Sequence, residues 1–210
     1  MDVDNPALIS ATTIPAGLQK YVVDPEGTVR GLLASETFPS LLDPGKRKES
    51  AIRGHVDSHF TPVFSYGSTD VDFQEIASRP LPMRDELAVL EMLLWEAIEN
   101  QYTCFLDWRR EDIPTPLYVI TFWRTQTRAL LAQRAWCQTE AWLLNLIDDT
   151  GGDRTTAYAA EDALATFESL GWGVHILGDI VLGISTEDLP SLLSASMLSD
   201  RILDAMIKMV

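Results

Sequence analysis

The stretch "LYVITFWRTQTRALLAQRAWCQTEAWLLNLI", residues 117–147, decides the fold. Ile120, Trp123, Thr127, Leu130, Arg134, Cys137, Ala141 and Leu144 recur at three- and four-residue steps, and Val119, Phe122, Leu131, Ala135, Trp142 and Leu146 form a second stripe. That period belongs to an α-helix. A helix with more than one apolar face sits at the centre of a bundle or of an oligomer. "DDTGGD", residues 148–153, follows it, with glycines suited to a C-terminal cap.

Working outward, Leu87, Leu90, Leu94, Ile98, Tyr102 and Phe105 predict an amphipathic helix from Met83 of about six turns. "DIPTPLY", residues 112–118, is expected to end it, because proline removes an amide donor. On the other side, "RTTAYAAEDALATFESLG" predicts a third helix closed by Gly171. "WGVHILGDIVLGI" is apolar, and its period does not separate a strand from a buried helix. "STEDLPSLL" opens on a capping box, and "SDRILDAMIKMV" predicts a last amphipathic helix.

Residues 1–82 hold most of the eleven prolines and no sustained helical period. "YVVDPEGTVRGLL", residues 21–33, predicts a hairpin turning at Asp24-Pro25-Glu26-Gly27. "HVDSHFTPVFSY", residues 55–66, predicts an edge strand interrupted by Pro62. The expected fold is mainly α. An extended, proline-rich arm with a small β-hairpin element (1–82) precedes a helical bundle or domain (83–210).

The chain has 210 residues, six Trp and a net charge of −15. That length supports a real core. That charge disfavours general binding to nucleic acid or anionic membrane. No apolar run reaches membrane-spanning length, and the N-terminal residues lack a signal-peptide pattern. The expectation is an intracellular soluble (cytoplasmic) protein, or part of an assembled particle, with Cys104 and Cys137 as free thiols.

Two groups of residues have metal-ligand chemistry. His55, Asp57 and His59 alternate along the expected strand, so their side chains share one face. The His-x-Asp pair resembles that of facial-triad oxygenases, with His175 in the distant position, but those enzymes are built on a β-rich jelly roll. A polar strand face is the simpler reading. Asp148, Asp149 and Asp153 resemble the aspartate-rich motif of class I terpene and prenyl synthases, which holds Mg²⁺ and diphosphate. Such enzymes have a larger helical fold and a second metal motif, and turns favour Asp and Gly in any case. No catalytic or cofactor site is assigned, and no metal site or cofactor is expected.

The charge layout is more specific. From Ile113 to Thr139 there is no acid, while Arg124, Arg128 and Arg134 lie among Trp and Leu. Arg124 and Arg128 are one helical turn apart. Two readings follow: a partner-binding stripe, or internal pairing with Glu86, Glu91, Glu96 and Glu99. The functional expectation is a non-catalytic structural, assembly or interaction protein. It would dock to a protein partner or form a homo-oligomer, as a viral or phage structural component does. The alternative is a metal-dependent enzyme using His55/Asp57/His59 or Asp148/Asp149/Asp153.

Overall fold

The computed structural model describes residues 11–23, 27–35, 61–67, 71–107, 109, 113–148, 154–172 and 190. The described chain is mostly helical, with one small antiparallel sheet. It divides into two compact units, residues 1–22 with 37–127 and residues 23–36 with 128–210.

In the first unit, helices α1 (Ala16–Gln19), α3 (Phe73–Ser78) and α4 (Arg84–Glu99) accompany strands β1 (Phe64–Ser65), β2 (Cys104–Asp107) and β3 (Ile113–Pro116). The strand order is β1-β2-β3, and both pairings are antiparallel. Phe105 faces Thr115 and Asp107 faces Ile113 across the β2–β3 ladder. Strand side chains alternate between faces, so Phe105, Asp107 and Thr115 share one face; all three are buried. Pro114 and Pro116 belong to β3, an edge strand, where a missing N–H is tolerated. Of the edge strand expected over residues 55–66, the described part holds the short β1, and residues 55–60 lie outside the described residues.

Helix α4 begins at the predicted place, with Met83 as its N-cap and the Glu86 carboxylate accepting from the Met83 N–H at 2.9 Å. It ends two turns early. The Gln101 N–H donates to the Ile98 carbonyl and the Tyr102 N–H to the Ala97 carbonyl, with Gln101 at φ 63°. This is a Schellman termination, with glutamine in the left-handed position that usually takes glycine. Tyr102 and Phe105 therefore leave the helix, and Cys104–Asp107 becomes the central strand. The β-forming run Thr103-Cys104-Phe105 finds a partner in β3, and pairing overrides the helical spacing.

The expected arm also differs. Its described segments hold short helices at 16–19, 29–33 and 73–78 beside strand β1 and irregular chain, and Leu18, Val29, Leu32 and Ile76 are buried. At Gly17, a Cβ would come within 2.5 Å of the Phe73 ring, so α1 and α3 approach each other closely because that residue lacks a side chain. The predicted 21–33 hairpin is not formed. Val29–Leu33 is helix α2, capped by Thr28, whose Oγ1 accepts from the Gly31 N–H at 3.2 Å. A threonine before a helical turn is as good a cap as it is a strand residue, and the cap prevails here. The Asp24-Pro25-Glu26 turn lies outside the described residues.

In the second unit, α2 joins helix α6 (Arg154–Ser169). The Val29 N–H donates to the Leu170 carbonyl and the Trp172 N–H to the Gly27 carbonyl, while Thr28 and Gly171 form an isolated bridge. Arg30 pairs with Glu168 at 2.6 Å. The long helix α5, Tyr118–Asp148, matches the predicted 117–147 helix, and it supplies residues to both units. The predicted elements from Gly173 onward lie outside the described residues, apart from Pro190.

Candidate functional site

The first unit holds a buried ionic cluster. Asp107, fully buried, accepts from Arg109 through two nitrogens, Nε at 3.0 Å and Nη2 at 3.2 Å, and from the Arg109 backbone N–H at 3.2 Å. Arg79, 5% exposed, lies 3.6 Å from the same carboxylate and donates to Thr115 Oγ1 at 3.0 Å. Glu75 lies 3.5 Å from Arg79, one helical turn earlier. Arg109 also donates to the Pro80 carbonyl at 2.7 Å, and its guanidinium lies 4.3 Å from the centroid of the Trp123 ring. Phe105 meets the same indole edge-on at 5.6 Å.

These contacts join β2, β3, the chain after α3 and the start of α5. Burial pulls the Arg79 pKa below its ordinary value, and the Arg109 charge adds to the effect; Asp107 opposes both. Arg79 Nε and Trp123 Nε1 are buried without hydrogen-bond partners among the described residues. Such a bidentate pair fixes geometry more than it adds stability. The cluster is a lock on the fold, with its cations already committed. Only the i, i+2 spacing of Asp107 and Arg109 hinted at it in the sequence; Arg79 and Trp123 arrive from distant segments.

Helix α5 carries the predicted partner-binding residues. Arg124, Arg128 and Arg134 are all exposed. Neither Arg124 nor Arg134 forms an ion pair among the described residues. Of the acids considered as internal partners, Glu86 caps its own helix and Glu99 accepts from Trp95 Nε1 at 2.7 Å. Leu131 is 43% exposed and Trp142 38% exposed, and Leu144 and Cys137 are exposed as well. The other side of the same segment is anchored: Trp136 is buried against Phe167 at 5.6 Å, and Gln133 donates to the Leu32 and Ser35 carbonyls at 2.9 Å each.

His55, Asp57, His59, Asp149 and Asp153 lie outside the described residues, and Asp148 is exposed at the end of α5. Among the described residues, no group of three His, Cys, Asp or Glu side chains is placed to hold a metal ion. Likewise, no described helix is long and apolar enough to cross a membrane. Neither Cys104 nor Cys137 is part of a disulfide. Burial raises the Cys104 thiol pKa, and burial with the nearby Glu140 charge raises that of Cys137. Compared with known proteins, the chain matches no family model, no curated protein and no solved structure.

Proposed function

We propose that this is a non-catalytic assembly or interaction protein that docks through the exposed face of α5. One observation supports the reading above the rest. Arg124, Arg128, Leu131 and Trp142 share the exposed side of a helix segment in which Glu140 is the sole acid, and the opposite side of that segment is anchored in the core. Interface centres favour this composition, with Trp and Arg enriched and acids depleted. A subunit of an assembled particle and a scaffold both present such surfaces.

The test is the solution mass of the full chain by light scattering, compared with the double variant Arg124→Glu/Arg128→Glu. The expected result is a wild-type mass above that of one chain, reduced in the variant, with the difference largest at low salt, where added repulsion is unscreened. A wild-type chain that remains a monomer at micromolar concentration and above would contradict the proposal.

A further inference from the structure

The exposed face of α5 has an internal order. Arg124, Arg128, Leu131, Ala135, Gln138 and Trp142 follow one another at alternating steps of four and three, the spacing of a helix-pairing seam. All are exposed except the half-buried Ala135. The seam lies on one continuous helix.

Read from either end, the seam complements itself. Lay a second α5 against it antiparallel, with the two-fold axis level with Gln133. Arg124 then faces Trp142 of the other copy, Arg128 faces Gln138, and Leu131 faces Ala135. The three pairings are a cation on an indole face, a charged donor on an amide oxygen, and a large apolar side chain over a small one. Each occurs twice, as a two-fold interface requires. Parallel pairing would instead set Arg124 on Arg124 and Arg128 on Arg128, which repel.

Net charge restricts where two copies can meet. Two chains of −15 repel over most of their surface, and the seam from Arg124 to Trp142 carries Glu140 as its sole acid, so contact there adds little of that repulsion. We infer that the occupant of this face is a second copy of the chain, bound as an antiparallel α5–α5 pair. The inference rests on the docking reading above and narrows it to one partner and one register. A seam of this extent, about 28 Å of helix, belongs with small, reversible interfaces. The pair should therefore form and dissociate in the micromolar range.

The experiment is sedimentation of the full-length wild type, Arg124→Ala, Trp142→Ala and the exchange variant Arg124→Trp/Trp142→Arg. Each single variant should weaken the dimer at least about tenfold, because the contact is lost twice per dimer. The exchange variant should recover it, since each new residue faces the other across the axis. A second measurement covers the case of a misfolded exchange variant. In a Cys137→Ser background, Leu131→Cys chains mixed with Ala135→Cys chains should give a disulfide-linked mixed dimer faster than either chain alone. If the wild type self-associates and Arg124→Glu/Arg128→Glu reduces it, yet neither exchange nor mixed cross-linking succeeds, this register falls and the docking reading stands. A wild type that is a monomer throughout overturns both.

Discussion

The two halves of helix α5 are alike in composition and opposite in use. In the first ten residues, Tyr118, Val119, Ile120, Phe122, Trp123, Gln126 and Thr127 are all buried. Gln126 reaches the Tyr21 carbonyl, Trp123 contacts both Phe105 and Arg109, and among these ten residues Arg124 alone is exposed. From Arg128 onward, burial contracts to Ala129, Leu130, Ala132, Trp136, Thr139 and Leu143, while Leu131, Trp142 and Leu144 are left at the surface. The first half is apolar because the sheet and the ionic cluster surround it. The second half is apolar beyond what its own unit covers. Surplus apolar surface on a regular element marks a contact site more strongly than a lone exposed leucine does.

The sharpest way to break this comparison is to truncate a tryptophan in each half. Trp123→Ala should destabilise the fold by about 3–5 kcal/mol, the loss expected for a large core aromatic. Trp142→Ala should change the unfolding free energy of the isolated chain by no more than about 0.5 kcal/mol, as for an ordinary surface site. Urea denaturation at low protein concentration measures both, and equal losses would erase the distinction. Trp123→Phe sharpens the point. The indole N–H has no partner among the described residues, so phenylalanine should retain most of the stability.

Asp107→Asn tests what holds the first half in place. Removing the carboxylate leaves the Arg79 and Arg109 guanidiniums facing each other in a buried site, a loss of about 3–5 kcal/mol. The same denaturation experiment checks it, and a near-neutral result would show the cluster to be solvated.

The thiols offer a milder contrast. Cys104 lies buried in β2, whereas Cys137 is exposed on the second half of α5. Burial raises the Cys104 pKa and so disfavours its reactive thiolate, on top of blocking access. Under mildly alkaline, non-denaturing conditions, a maleimide should label Cys137 first, and Cys104 only as the fold opens. Mass spectrometry of the labelled peptides gives the order. The smallest effect is expected at Gln101→Gly, which relieves the left-handed backbone at the end of α4 and should stabilise by about 0.5–1 kcal/mol in thermal or urea unfolding.

The sequence exposed these features unevenly, for physical reasons. Helix α5 is legible because a 31-residue element repeats its period many times. The end of α4 is not, because Tyr102 and Phe105 continue the spacing of three and four by accident while their neighbours pair in a sheet. Helix α2 has five residues and escapes any periodicity window; its β-branched neighbours and the Pro25–Gly27 turn signal favour a hairpin until Thr28 is seen as a cap. Arg124, Arg128 and Arg134 were readable from the absence of acids around them. The Arg79–Asp107–Arg109 cluster was not, since its members come together only when the chain between them folds.

The central claim is that the exposed face of α5 is covered by a second copy when the protein associates. Fluorine NMR of 5-fluorotryptophan-labelled chain tests it most directly, with Trp123, Trp136 and Trp142 assigned by substitution. On raising the concentration through the micromolar range, the Trp142 resonance should shift and lose its sensitivity to solvent isotope, while Trp123 and Trp136, buried throughout, stay where they are. A Trp142 resonance that remains solvent-sensitive and unmoved from the most dilute to the most concentrated sample would contradict the account.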